Sequence, residues 1–537
     1  MFITQYLKDK IEKINKNLSF IQTTLPLGLS LIIFVSYFGC KKIEDLQEEE
    51  KEKNNSSVII KPAEGMDLYG LITDSKGKPV SDVVVSDGYS CVTTNSEGVY
   101  QMKKHAEADI VYYSTPTNFE INVANSSISA ATFWKTLMGS EKRYDFTLTE
   151  LDRPETDFTL VCIGDPQTTS AAQVTRFRAE TMTDIQDFVD NHDKPCYGLV
   201  LGDITGDHLE LNSSMRLTLG TTKMPYFVTI GNHDHNKSVL NNDLEAGKVF
   251  QSVFGPLNYS FNRGNVHFVC LDNVIYDGQS DYTAGFTDEQ IEWLKQDLSF
   301  VSKDKMVIVY YHIPLRHTNS YKNREKMLGL LKDFKSNQLM AGHTHYHENF
   351  MITHPISTFE HIHAAACGAW WHSTLNTDGT PNGYAVYEIS DTKFTNWFYK
   401  STNYPKDFQI RLHRGNTSFG GDYGYFSFNK PSTTIVANIW NADPEWKIEA
   451  YEDGQYITDL TVQPTMVDAF SVGYHVGVLN RNLSSYGGSG SGKSKHIFLH
   501  SLKNPDATTI KIKATDRFGN EYVQSELISD LKTAANY

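Results

Sequence analysis

The chain has 537 residues, 40% hydrophobic and 21% charged, and a formal net charge of −15. That length suits two to four domains of roughly 100–200 residues each, and the composition excludes a wholly disordered chain. The acidic balance excludes a protein that coats nucleic acid, which carries a basic surface, and an aromatic content of 12% points to β structure and binding surfaces.

The first residues read as an address. Lys8, Lys10, Lys13 and Lys16 form a basic leader, and residues 25–38 are an apolar run ending in Gly39-Cys40-Lys41-Lys42. The run falls short of the about 20 residues that a spanning helix needs and suits the core of a signal peptide. A small residue and a cysteine directly after such a core resemble a bacterial lipoprotein signal. The resemblance implies a signal peptide over 1–40, lipidation at Cys40, and a lipid-anchored place in the bacterial cell envelope, in the periplasm or at the outer-membrane surface. Residues 41–57, rich in Glu, Lys and Asn, read as a polar tether. Of the other cysteines, Cys162 and Cys270 lie inside apolar runs and Cys196 and Cys367 beside them, as buried thiols do. No Cys-x-x-Cys occurs, so neither a zinc ribbon nor a redox pair is indicated.

Residues 58–151 alternate in the manner of short strands, with turns at Gly77-Lys78-Pro79, Asp87-Gly88 and Glu97-Gly98. This stretch resembles the small β-sandwich modules related to carboxypeptidase regulatory domains, and it holds no cluster of titratable residues. Residues 156–401 change rhythm. Apolar strands at 158–163, 197–201, 226–230 and 306–311 alternate with helical patterns at 171–189, 244–254, 287–298 and 323–334, the third opened by a capping box at Thr287 and Gln290. That alternation predicts an α/β domain, whose ligands gather beyond the carboxyl ends of its strands. Residues 402–537 return to half-buried strands around 434–440, 446–451 and 509–514. The segment 486–495, Tyr-Gly-Gly-Ser-Gly-Ser-Gly-Lys-Ser-Lys, reads as a surface loop; it lacks the strand and spacing of a phosphate loop.

Each apolar strand of the central region ends in a potential metal ligand. In order these are Asp165 with Gln167, Asp203, Asn232, His312, and His343 with His345. A single Asp after a strand is an ordinary helix cap; a carboxylate, amide or imidazole at five successive strand ends is not. In Gly342-His343-Thr344-His345 an extended backbone would turn both imidazoles to one face. Two divalent cations about 3.5–4 Å apart repel, so a carboxylate held between them suits such a site. Mixed oxygen and nitrogen donors without thiolate favour Mn, Fe or Zn. A bridging water would lose its proton near neutral pH and attack phosphorus, while the metals stabilise charge on the phosphate oxygens.

Gly164-Asp165-x-Gln167, Gly202-Asp203, Gly231-Asn232-His233-Asp234, His312 and Gly342-His343-Thr344-His345, in that order, resemble the calcineurin-like metallophosphoesterase superfamily, in a bacterial branch with β domains on both sides. The resemblance implies an α/β fold, a four-layer α/β/β/α sandwich over 156–401 flanked by N-terminal and C-terminal β-sandwich domains. It implies two divalent or trivalent transition-metal ions. Asp165, Gln167 and His345 would bind the first, Asn232, His312 and His343 the second, and Asp203 both. His233 would act at the leaving group, with Asp234 orienting it or a neighbour. The first motif usually carries a histidine where this chain has Gln167, a neutral and weaker donor.

The substrate is less legible. Arg316 and His317 follow His312 closely and can meet a phosphate, and Trp370-Trp371-His372 can wall the pocket and stack on a sugar, base or lipid head, so Arg316, His317, Trp371 and His372 are taken as substrate-binding candidates. His235, His347, His361 and His363 are read as surface residues or as support for the ligands. The expected activity is metal-dependent hydrolysis of a phosphoester, mono- or diester, on a small molecule, glycan, lipid or protein. The alternative is a surface lipoprotein that binds glycan or protein and carries a degenerate phosphoesterase domain.

Overall fold

The computed structural model describes residues 58–125, 128–278, 281–316, 321–419, 430–463, 466–482 and 494–531. The leader with Cys40, the tether, His317 and most of the glycine-rich segment lie outside them. Among the described residues no helix is long and apolar enough to cross a membrane.

Two sheets face each other at the centre. The first contains strands β1 (Asp157–Ile163), β2 (Cys196–Leu201) and β3 (Tyr226–Thr229), paired in parallel. The second contains β4 (Val266–Cys270), β5 (Met306–Tyr310), β6 (Ser336–Ala341) and β7 (Thr358–Ile362), also parallel. The strands β8 (Gly383–Ser390) and β9 (Lys393–Ser401) then return to extend the first sheet antiparallel beside β1. Parallel strands buried on both faces read as unbroken apolar runs, which is why these segments stand out in the sequence.

Alternation along β1 generates the layers. Phe158, Leu160 and Cys162 pack between the sheets, while Val161 and Ile163 pack against helices on the outer face. Cys162 meets Met340 of β6 across that interface, sulfur to sulfur at 3.5 Å. On the outer side of the first sheet lies helix α1 (Ala171–Phe177), which passes through one wide π turn (Arg178–Met182) into α2 (Thr183–Asp190). Helix α3 (Asp288–Ser299) packs Ile291, Leu294 and Leu298 against the second sheet, and α4 (Arg324–Leu330) adds Met327 and Leu328. The capping box opens α3 as expected, with Thr287 Oγ1 accepting from the Gln290 N–H at 3.2 Å and Gln290 Oε1 accepting from the Thr287 N–H at 2.6 Å. The centre is thus a four-layer α/β/β/α sandwich.

Residues 68–148 form a three-stranded and a four-stranded sheet. Strands Val123–Asn125 and Ile128–Ala131 do not stay with them. Ile128–Ala131 pairs in parallel with β3, so the N-terminal region adds two strands to the edge of the central sheet. The C-terminal region stacks two four-stranded sheets, with Leu412, Ala437 and Ile439 facing Ile448, Ile512 and Ala514.

Candidate metal centre

The loops after β1, β2, β3, β5 and β6 meet at the carboxyl ends of both sheets, where open α/β sheets bind ligands. Asp165, Asp203 and His312 are 0–2% exposed, and Gln167, Asn232 and His345 at most 7%. Donor atoms of Asp203, His312 and His343 lie within 4.8 Å of one another; those of Asp165, Asp203 and His345 do the same. Asp203 belongs to both groups.

The hydrogen bonds show which atoms are left to bind. His312 donates from Nδ1 to the Leu201 carbonyl at 2.7 Å, so its Nε2 faces Asn232 Oδ1 at 3.1 Å and Asp203 Oδ1 at 3.3 Å. His343 Nδ1 stands 3.1 Å from the same Asn232 oxygen and 3.2 Å from His312 Nε2. Four donor atoms therefore converge on one point. In the other group, His345 Nε2 stands 3.6 Å from Asp165 Oδ1, and Gln167 Oε1 is buried without a hydrogen-bond partner, which burial penalises unless something else binds it. Gln167 donates from Nε2 to Asp203 Oδ2 at 3.2 Å, which leaves its oxygen as the ligand atom. These residues fit a pair of cations. Gln167 does so through a neutral amide.

The electrostatics agree. Burial pushes Asp165 well above the usual carboxylate range, and Asp203 adds to the push. Burial also acts to raise Asp203, but the His312 charge outweighs it and holds Asp203 low. Burial would lower His312, yet Asp203 lifts it to about 9, a measure of how strongly the carboxylates draw positive charge here. Burial holds His343 at about 3 and His345 at about 4, so both imidazoles are neutral, the form that binds metal.

The glycines of the motifs have a steric reason. A Cβ on Gly231 would sit 2.2 Å from Asp203 Oδ1, and one on Gly342 2.6 Å from Asp165 Oδ2. The backbone is also unusual. Asp165, Gln167, Asp203, His343 and His345 all have positive φ, from 39° to 71°, a region non-glycine residues seldom enter and which gathers at functional sites. The extended geometry expected for Gly342-His343-Thr344-His345 is therefore absent. β6 ends at Ala341, both histidines sit in left-handed turns, and they part toward different donor groups.

Other expectations change. Of the two roles expected for Asp234, orienting His233 or a neighbour, the structure shows the second. The buried Asp234 carboxylate takes the N–H groups of Ile204, Thr205 and Gly231, each at 3.0 Å, and so ties the Asp203 and Asn232 loops together. The partner of His233 is Asp207, which the sequence reading passed over, at 2.9 Å from Nδ1; Lys237 lies 2.6 Å from the same Asp207 oxygen. Arg316 is not offered to a phosphate. It pairs with Glu348 and lies over the Phe350 and Tyr346 rings, 5.6 and 5.8 Å from their centroids. Trp371 is buried and donates its indole N–H to the Pro166 carbonyl at 2.9 Å, propping the first ligand loop from behind. His372 is half-buried; burial and the Arg481 charge lower its pKa. His235, His347, His361 and His363 are all at most 1% exposed, so none is a surface residue. Two further aromatics border the site. Tyr282 brings its hydroxyl to 3.3 Å from His343 Nε2, and Trp370 lies against the His345 ring at 5.0 Å between centroids.

The C-terminal region reaches this site. The His347 N–H donates to Asp378 Oδ2 at 2.9 Å, and His347 Nε2 meets Asn441 Oδ1 at 3.1 Å. Asp378 Oδ2 also takes His496 Nε2 at 2.9 Å. The turn that carries His345 is thus clamped by residues 31 to 118 positions away from their partners.

Three family models match the chain in succession: the N terminal of calcineurin-like phosphoesterase over 66–151, calcineurin-like phosphoesterase over 158–347, and the C terminal of calcineurin-like phosphoesterase over 360–522. The chain belongs to the calcineurin-like phosphoesterases. It is 32% identical over 147 residues to purple acid phosphatase 15 of Arabidopsis thaliana, a match covering 24% of this chain and 26% of that protein. The phosphoesterase chain thus spans about a quarter of that relative's length. Similar solved structures include a dimetal phosphatase from Danio rerio (15% identity, TM-score 0.33, 46% of this chain and 96% of that one). Another is a 5'-nucleotidase from Candida albicans (12% identity, TM-score 0.29, 45% of this chain and 51% of that one).

Proposed function

We propose that this phosphoesterase hydrolyses a phosphomonoester or phosphodiester with two transition-metal ions bound about Asp203. The observation that carries the reading is the shared carboxylate: Asp203 belongs to both donor groups. Asp165, Gln167 and His345 would complete one ion's ligands, and Asn232, His312 and His343 the other's. Mn, Fe or Zn suits these donors. When bound, such ions neutralise phosphate oxygens and supply a water acidic enough to attack near neutral pH.

The protein's own contribution is orientation and proton transfer. Asp234 fixes the spacing between the Asp203 and Asn232 loops through three backbone hydrogen bonds. His233 is tied by its backbone N–H to Asp203 Oδ1 at 2.9 Å, and Asp207 holds its Nδ1, leaving Nε2 to hand a proton to the departing oxygen. Its side chain is 31% exposed, open enough to meet a substrate. A degenerate binding domain would have no reason to keep seven donor side chains converged with the Gln167 amide oxygen buried and unpartnered among them. The test is Asp203→Asn, assayed on 4-nitrophenyl phosphate at saturating manganese. Loss of at least about 100-fold in kcat is expected, since a charged ligand of both ions becomes neutral; unchanged turnover sinks the reading.

We propose as well that the chain is held at the bacterial cell envelope by a lipid on Cys40. The apolar run at 25–38 followed by Gly39-Cys40 supports it. In cells grown with a labelled fatty acid, the wild-type chain should carry the label and Cys40→Ser should not; equal labelling, or none in either, refutes the anchor.

A further inference from the structure

We propose that Tyr282 is a positioning residue for the cation assigned to Asn232, His312 and His343: its hydroxyl takes the proton of His343 Nε2 and so turns the Nδ1 lone pair toward that ion. This rests on the two-metal phosphoesterase reading above and deepens it.

A neutral imidazole has one lone pair and one N–H, and which nitrogen can bind a metal is set by what takes the proton of the other. The two histidines of this donor group are set opposite ways. His312 gives its Nδ1 proton to the Leu201 carbonyl and faces the group with Nε2. His343 faces it with Nδ1, 3.1 Å from Asn232 Oδ1 and 3.2 Å from His312 Nε2. To offer a lone pair there, His343 must carry its proton on Nε2. Among the described residues the group within hydrogen-bond distance of that nitrogen is the Tyr282 hydroxyl, at 3.3 Å and 61 residues earlier in the chain. A backbone carbonyl fixes His312; a side chain from a separate segment fixes His343.

That segment touches every ligand that belongs to this ion alone. Asn273 Oδ1 accepts the N–H of His312 at 3.2 Å and that of Ile313 at 3.0 Å. Tyr276 donates its hydroxyl to the Asn232 carbonyl at 3.2 Å. Tyr282 completes the set at His343. Among the described residues the segment makes no hydrogen bond to Asp165, Gln167 or His345, whose loops are braced by Trp371 and Asp378 instead. The two ligand sets therefore depend on different parts of the chain. The segment is itself held in place. Its short strands Val274–Ile275 and Thr283–Ala284 pair antiparallel, and the Tyr276 N–H donates to Asp243 Oδ1 at 2.8 Å. The Tyr282 ring meets the Tyr276 ring edge-on at 6.0 Å and the His343 ring at 6.1 Å between centroids. These ring contacts place the hydroxyl, and the hydroxyl sets the tautomer, so phenylalanine separates the two.

The test is manganese binding to the chelator-stripped full chain, read by calorimetry in wild type, Tyr282→Phe and Tyr282→Ala. Wild type should bind two ions. Tyr282→Phe should bind one as wild type does and the other at least about 10-fold more weakly, the scale of losing the outer partner of a ligand histidine. Its urea midpoint without metal should match wild type, and Tyr282→Ala should weaken the same ion no less. Turnover of 4-nitrophenyl phosphate by Tyr282→Phe should fall at low manganese and recover as added manganese refills the weak site. If the ring merely packs, Tyr282→Phe will bind both ions as wild type does and only Tyr282→Ala will fail. That result overturns the proposal, as does equal weakening of both ions in Tyr282→Phe; with wild type active, either leaves the phosphoesterase reading standing. Two ions bound by wild type without turnover of any phosphoester would overturn that reading and leave the Tyr282 assignment to be decided by the variants' affinities. Fewer than two ions in wild type would overturn both.

Discussion

Replacing Gly231 by alanine tests whether the site is held as tightly as its geometry implies. The new Cβ would lie 2.2 Å from Asp203 Oδ1, 2.3 Å from Asp203 N and 3.0 Å from Asp203 Cα, where ordinary contacts begin at 3.4 Å. Two of these three atoms are backbone, so no rotamer change relieves the clash. Either the Asn232 loop or the Asp203 loop must shift by about an ångström, and Asp234, which bonds both, resists. Overpacking of this size costs about 1–3 kcal/mol. The larger consequence falls on the cations, because Asp203 serves both donor groups. A matched control is Gly329→Ala in α4, where nothing lies within 4 Å of the added carbon. There alanine should stabilise by about 0.5–1 kcal/mol through helix propensity. Urea unfolding and metal analysis after dialysis against metal-free buffer read both variants. Gly231→Ala should unfold earlier and lose bound metal, while Gly329→Ala should do neither. Full metal content and wild-type stability in Gly231→Ala would refute the reasoning.

Asp378→Asn should cost about 1–3 kcal/mol in urea unfolding, because it turns one buried acceptor oxygen into an NH2 that cannot take the donors Asp378 now holds; since Asp378 also clamps His347, metal release to a chelator should quicken too, and unchanged release would show that the C-terminal region does not brace the His345 turn. Arg316→Gln leaves the partly buried Glu348 without its cation, so it should lower stability by about 1–3 kcal/mol while KM for an aryl phosphate moves less than about twofold; a large KM change would return Arg316 to the substrate. His475 is held at about 4 by burial between Ser373 and Ser471. The unfolded chain therefore binds its proton first, and stability is lost as pH falls from about 6.5 toward 4 at about 1.4 kcal/mol per unit. In His475→Gln the slope of stability against pH in that window should be shallower by that amount, and an unchanged slope contradicts the assignment.

The strand ends were legible because chemistry and burial coincide there. β1, β2, β3 and β5 are apolar on both faces, so each run is unbroken until the residue that leaves the sheet, and that residue is the ligand or sits beside it. The glycine before the ligand was legible for the same reason, as the room each carboxylate or imidazole takes. What escaped depends on contacts across the chain. Asp207 sits in Gly-Asp-Ile-Thr-Gly-Asp-His, in plain view, but only folding brings it to His233, 26 residues on. The choice between Trp370 and Trp371 turns on two backbone angles, and Arg316 was claimed by a glutamate 32 residues later that carries no sequence signal. The strands at 123–131 read as β from pattern alone, yet pattern cannot say which sheet they join.

The central claim is that Asp203 holds two cations that act together on a phosphoester. The most direct measurement is turnover of 4-nitrophenyl phosphate by chelator-stripped chain titrated with manganese. The account predicts activity that rises through the second equivalent per chain in wild type and stays near baseline throughout in Asp203→Asn. Full activity at one equivalent, or a titration that Asp203→Asn leaves unchanged, would contradict it.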